Sequence, residues 1–189
     1  MIPRELVWGI LCLFPISEMI LGMVKKANPG ESSVHDQGTL RVLWVVIAAS
    51  IVMAALARNV SSTRFPSSSE LSDMLSIILL IAGLALRWVS IFTLGRFFTV
   101  NVAIHPEQQV VRTGPYRLIR HPSYTGMLIA FVGVGVYCAN WLSLCVLLVP
   151  VTLATLHRID KEEEILLKVF GSSYREYCKE TKRLIPWLY

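Results

Sequence analysis

Charge is scarce in this chain, and so are the motifs that bind nucleotides or metals. Only 16% of its 189 residues are charged, against 54% hydrophobic, where an average soluble domain carries about 25% charge. With a mean hydropathy of +0.57, the composition excludes an ordinary water-soluble globule and predicts an integral membrane protein. Four cysteines, Cys12, Cys138, Cys145 and Cys178, are scattered without a C-x-x-C pair or a histidine at a metal-ligand interval. Structural disulfide and metal roles are therefore not expected. Residues 101–111 contain no Gly-x-Gly-x-x-Gly and no phosphate loop, so a nucleotide would need an unfamiliar pocket. No internal repeat or low-complexity segment is visible. The net charge of +5 reflects retention of Lys and Arg on one side of a membrane rather than nucleic-acid binding.

What is present is a series of apolar runs. Residues 6–24, 40–56, 71–94, 124–138 and 141–156 read as five transmembrane helices of an all-α integral membrane protein, a single membrane domain. Once these are set aside, about 70 to 80 residues remain for loops and ends, too few for a separate soluble catalytic domain. Lys25 and Lys26 end the first run, and no small-x-small cleavage pattern closes it, so it reads as a retained span rather than a signal peptide. Glu18 within it is expected at the interface or packed against another helix. Arg87, in the last turns of the third run, is either a functional intramembrane charge or a snorkelling side chain.

The fourth and fifth runs are joined by little more than Ala139 and Asn140 and should form a tight helical hairpin. Each is short, so their ends should leave a depression. Gly126, Gly133 and Gly135 permit close helix approach. Beyond Arg158 the chain turns polar, and two short helices at the membrane surface are predicted. Ile165, Leu166, Val169 and Phe170 mark the first, Gly171 stops it, and Ser172 or Ser173 caps the second. Leaving Arg87 aside, fourteen basic residues fall on the side of the 95–121 loop and the C-terminal tail, and three, Arg4, Arg58 and Arg64, on the other. This asymmetry puts loop and tail in the cytoplasm.

The polar stretch 110–126, VVRTGPYRLIRHPSYTG, is irregular among apolar segments. Irregular backbone at membrane depth must be buried in protein or line a watery cavity, so the stretch reads as the wall of a site. Pro122 disfavours helix at His121 and pre-sets the first turn of the next helix, which leaves His121 at a helix N-terminus suited to an anionic group. The hairpin brings this corner beside Arg158 and Glu162, which are four apart on one helix face.

Val-Arg-Thr-Gly-Pro-Tyr-Arg-Leu-Ile-Arg-His-Pro-Ser-Tyr-Thr-Gly, then a hairpin, Arg158-x-x-x-Glu162-Glu163, Phe170-Gly171-x-x-Tyr174-x-x-Tyr177 and Arg183-x-x-Pro186 together resemble the isoprenylcysteine carboxyl methyltransferase family. The match covers residues 94–186, half the chain, so that residues 1–94 form three N-terminal spans with loops and 95–189 the catalytic half; the first two spans carry no usable resemblance. It implies a membrane enzyme that takes a methyl group from S-adenosylmethionine, leaving S-adenosylhomocysteine. The resemblance also implies which residues take part. Asn101, Gln108, Gln109, Val110, Val111, Tyr116, His121, Pro122, Ser123 and Tyr124 would contact the cofactor, and Arg158 and Glu162 would serve the acceptor.

The chemistry suits these residues. A carboxylate acceptor is already ionised at neutral pH, so no general base is required. What is required is orientation and a cation for the carboxylate, to which the arginine fork of donors is suited. A thiol or amine acceptor would instead make Glu162 or His121 base candidates. The expected partner is a lipophilic or prenylated substrate entering from the bilayer among membrane lipid. The chain is shorter than animal and fungal members, so a prenylated protein is not assumed. Two alternatives are an NADPH-dependent membrane sterol-type reductase and a non-enzymatic scaffold whose basic face binds anionic lipid.

Overall fold

The structure, a computed structural model, describes residues 4–24, 33–36, 38–65, 69–100, 102–104 and 107–189. Its helices are α1 (Arg4–Val24), α2 (Gly38–Ala57), α3 (Ser69–Leu94), α4 (Pro122–Tyr137), α5 (Trp141–Phe170) and α6 (Ser172–Glu180). Three helical stretches, Gly38–Ala57, Glu70–Phe97 and Trp141–Phe170, are long and apolar enough to cross a membrane, while Cys12–Met23 and Pro122–Tyr137 are shorter apolar helices. Asn101 lies outside the described residues.

The helical expectation has one small addition. Strands β1 (Ser33–Asp36) and β2 (Val102–Ile104) pair antiparallel, Ser33 opposite Ile104 and Val34 opposite Ala103, with an irregularity before Asp36. This ribbon ties the α1–α2 connection to the loop that follows α3.

A core of Phe14, Leu43, Ile47, Leu80, Met127, Phe131, Leu147 and Val151 draws on α1 to α5. The α3–α4 contact is backbone to backbone. A Cβ on Gly83 would lie 2.5 Å from Gly126 O and Ala130 N, and one on Gly126 would lie 2.6 Å from Gly83 O and Arg87 N. Gly133 meets Ser76 O in the same way, at 2.8 Å. Small residues thus remove the side-chain layer between two helices, the usual route to tight packing where lipid supplies no hydrophobic drive.

Between α4 and α5, Ala139 turns the chain at φ +48° and Asn140 caps α5. The fully buried Asn140 amide is hydrogen-bonded through both its oxygen and its nitrogen. Its Oδ1 accepts from Ser143 N at 3.1 Å and Thr63 Oγ1 at 2.9 Å, and its Nδ2 donates to Val60 O at 2.9 Å. An N-cap that also holds the α2–α3 connection fixes three elements with one side chain.

The tail differs from expectation. The residues after Leu156 do not begin a separate surface helix: α5 runs unbroken to Phe170. Thr155, Ile159 and Glu163, four apart, continue its buried face, and Gly171, at φ +55°, ends it. At 1.5 Å per residue such a helix is about 45 Å long, against a hydrocarbon core of about 30 Å. Its last turns therefore project beyond the bilayer, where α6 packs on them.

Candidate active site

One cavity is lined by α1, α2, the end of α3 and the first turns of α4, by residues 97–100 and 108–111, and by the projecting part of α5 and α6. With the open solvent at its mouth included, its empty volume is about 1270 Å³. It has two characters. Phe14, Leu21, Leu43, Trp44, Ile47 and Met127 line an apolar end among the membrane helices; Gln108, Gln109, Tyr116, Tyr174 and Tyr177 line a polar, aromatic end. His121, Tyr124, Arg158 and Glu162 line it as well.

Arg158 is 3% exposed, and each of its nitrogens donates to a different element. Nε meets the Tyr124 hydroxyl at 2.7 Å, one terminal nitrogen meets Thr39 Oγ1 at 3.0 Å, and the other meets Val100 O at 2.7 Å. The Tyr124 hydroxyl in turn donates to Glu162 Oε2 at 3.0 Å. Arg158 and Glu162 are thus linked through a phenol, which fixes both side chains against α4.

His121 and the backbone around it are held from behind. Its Nε2 lies 3.2 Å from Glu163 Oε1, which also accepts from Arg120 Nε at 2.8 Å, while Glu163 Oε2 accepts from Arg183 at 2.7 and 3.0 Å. One buried carboxylate therefore joins α5, the corner before α4 and the tail. The tail also pairs by backbone: Arg120 N donates to Lys182 O at 2.7 Å and His121 N to Arg183 O at 3.0 Å. The amide of His121 is accordingly used within the protein. Sequence reasoning gave Glu162 a role and Glu163 none, quoting it only within the motif; the buried spacing from Thr155 through Ile159 was the available signal.

Ser123 is held from α3. Arg87 donates to Ser123 O at 3.2 Å and Ser123 Oγ at 3.0 Å, and it forms a two-pronged ion pair with Glu18 of α1, one prong at 2.7 Å. Arg87 and Glu18 are 7% and 6% exposed, so neither snorkels to an interface. Both line the cavity. Their opposite charges, one in each of two apolar runs, were the clue that they pair.

At the polar end Gln108, Gln109, Val110, Val111 and Tyr116 face the same space. Pro122, buried as the first residue of α4, sets the turn for its neighbours. Tyr177 Oη donates to Tyr116 O at 2.8 Å. Burial first, then the nearby Glu162 carboxylate, pushes the Tyr116 phenol up, and burial does the same to Tyr177. Both remain neutral phenols that can donate hydrogen bonds. Tyr174 Oη is fully buried and makes no hydrogen bond to the described residues, an orphan of the kind that a bound polar molecule satisfies. Among the described residues no group of His, Cys, Asp or Glu could hold a metal, and all four cysteines are free thiols.

Residues 76–168 match the isoprenylcysteine carboxyl methyltransferase (ICMT) family. A probable protein-S-isoprenylcysteine O-methyltransferase of Oryza sativa subsp. indica is 31% identical over 182 residues, spanning 94% of this chain and 93% of the rice protein. Protein-S-isoprenylcysteine O-methyltransferase A of Arabidopsis thaliana is 33% identical over 187 residues, spanning 94% and 90%. Among solved structures, the eukaryotic intramembrane Ras methyltransferase ICMT superposes with a TM-score of 0.63 at 25% identity, over 78% of this chain and 53% of that one. This chain thus spans about half the length of that solved protein. Near full-length likeness to the plant enzymes, a shared helical fold and apolar helices of crossing length agree: the chain belongs to the isoprenylcysteine carboxyl methyltransferase family of membrane enzymes.

Proposed function

We propose that this protein transfers a methyl group from S-adenosylmethionine to the carboxylate of a prenylcysteine-like lipophilic acceptor. The observation that carries the proposal is the single cavity whose apolar end meets its polar, aromatic end beside Arg158, Tyr124 and Glu162. An amphiphilic acceptor and a polar donor require that combination. The donor, when bound, supplies an electrophilic methyl group on a sulfonium. The residues proposed to hold it are Gln108 to Val111, Tyr116 and His121 to Tyr124, with Asn101 from the adjoining loop. The orphaned Tyr174 hydroxyl and the neutral Tyr116 phenol suit a ligand rich in hydroxyl, amine and ring nitrogen groups.

The chain's own task is to orient and to exclude water. Arg158 holds a cation beside the apolar end, where Thr39 Oγ1 and Val100 O, two of its partners, are neutral oxygens. An acceptor carboxylate, which makes a stronger charge-assisted bond, would displace a neutral partner of this kind. Tyr124 keeps Glu162 engaged and so limits its repulsion of the incoming carboxylate. No proton has to move.

In the bilayer, α1 to α5 make five passes, α4 and α5 as a hairpin, with the cavity's polar end in the cytoplasm as the distribution of basic residues indicates. Acceptors enter the apolar end from the lipid. The test is calorimetric titration of purified protein with S-adenosylhomocysteine and with NADPH, followed by methyl transfer to a prenylcysteine and to its carboxamide. Binding of the first ligand and methylation of the acid alone are expected. Binding of NADPH without S-adenosylhomocysteine would overturn the proposal in favour of a reductase.

A further inference from the structure

The residues after α6 return to the start of α4 and end in a tight turn at residues 185–189. Leu184 N and Ile185 N donate to Tyr189 O at 2.8 and 2.7 Å, and Tyr189 N donates to Ile185 O at 3.1 Å. Arg183 reaches the Tyr189 hydroxyl at 3.1 Å, and Thr125 Oγ1, in the first turn of α4, donates to Leu184 O at 2.8 Å. The turn is therefore fixed and sits level with the beginning of an apolar helix.

Two of its features are unfavourable in water. Trp187 has φ +62°, a left-handed conformation that is strained for a bulky residue. That conformation presents a ring 86% exposed, next to Leu188 at 75%. Ile185 is exposed as well, and so is Leu118, whose carbonyl accepts from Lys182 N at 3.4 Å and which therefore adjoins the turn. A strained backbone that displays the largest aromatic side chain of the tail gains nothing from the protein itself.

We propose that this turn is an anchor seated in the headgroup region of the bilayer. Three observations commit it to lipid. The turn lies where an apolar helix begins; its apolar side chains include a tryptophan, the residue enriched at membrane–water interfaces; and the exposed Lys182 precedes it in the tail, paired by backbone with Leu118, whose neighbour Arg117 is exposed as well, basic residues of the kind that meet headgroup phosphates. The anchor bears on the active site because the same tail segment supplies Lys182 O to Arg120 N and Arg183 O to His121 N. The inference rests only on the chain's being membrane-embedded, not on methyl transfer.

Tryptophan emission tests it with the full chain in phosphatidylcholine vesicles. Subtracting the emission of Trp187→Ser from that of the wild type isolates Trp187, and Trp187→Phe gives the same difference should the serine variant fail to fold. The isolated emission is expected to be quenched by phosphatidylcholine brominated near the top of its acyl chains and shielded from acrylamide in the water. In the same vesicles Leu188→Gln should increase acrylamide access to Trp187. Quenching by acrylamide alone would overturn the proposal. So would shielding from both quenchers, which would mean that protein, such as a second copy of the chain, covers the turn.

Discussion

Replacing Arg158 by lysine separates the proposed acceptor role from the donor role. In the structure three guanidinium nitrogens donate in three directions, to Tyr124 Oη on α4, Thr39 Oγ1 on α2 and Val100 O in the loop. A lysine ammonium is one point on a flexible stem and cannot meet all three together, so at least two of these bonds are lost. A hydrogen bond to a charged group contributes about 1.5–3 kcal/mol, which bounds the loss at about 3–6 kcal/mol. Water in the open cavity recovers part of this, and retaining half leaves about 1.5–3 kcal/mol, or roughly 10- to 150-fold in kcat/KM for the acceptor. Thr39 and Val100 lie outside the residues proposed for the donor, and a lysine that keeps one bond can keep the one to Tyr124, so S-adenosylhomocysteine affinity should change by only a few-fold. The assay is steady-state methyl transfer to a prenylcysteine at saturating donor, beside calorimetric titration of S-adenosylhomocysteine. Loss of S-adenosylhomocysteine binding, with turnover at saturation equal to wild type, would refute the assignment.

Three further outcomes follow from named contacts. Tyr124→Phe removes the hydroxyl between Arg158 and Glu162, and should lower kcat/KM by roughly 10- to 100-fold at about 1.4 kcal/mol per tenfold, with little change in thermal midpoint. Gly126→Ala places a Cβ 2.6 Å from Gly83 O and Arg87 N; overpacking of this kind costs about 1–3 kcal/mol and should appear as a lowered unfolding temperature in detergent. Glu18→Leu strands the buried Arg87 and should destabilise by about 3–5 kcal/mol, whereas adding Arg87→Met should restore most of that loss, since an apolar pair often replaces a buried ion pair without penalty. Denaturation of both single variants and the double variant measures the coupling, and purely additive losses would contradict the pairing.

The sequence was informative where structure follows from local pattern. Apolar runs located α1 to α4 and the start of α5 to within a few residues. Gly171 stopped α5 where a helix-ending glycine was expected, and Gly126 and Gly133 proved to be points of backbone contact. The projecting part of α5 was misread because hydropathy falls after Leu156 while the buried four-residue spacing continues unchanged. Contacts between distant segments were not legible. Glu18 and Arg87 were each noticed, yet only the packing of α1 on α3 pairs them. Strands as short as β1 and β2 carry no period that can be read. The first two spans offered no motif although the plant relatives align across them, because lipid-facing helices constrain hydropathy more than residue identity. Of the site residues implied by resemblance, Gln108 to Val111, Tyr116, His121, Ser123, Tyr124, Arg158 and Glu162 line one cavity. The carboxylate that braces His121, Glu163, came only from the structure.

The pairing of Arg120 and His121 with Lys182 and Arg183 joins the corner before α4 to residues that a ribosome adds only after α4 and α5 are complete. At roughly 5–20 residues per second, the helices up to α4 exist for several seconds before those carbonyls are made. Helix insertion and completion of the active-site corner are thereby separated in time. A nascent chain can settle into the bilayer with its cavity still unbraced, and the site closes only when synthesis reaches the tail.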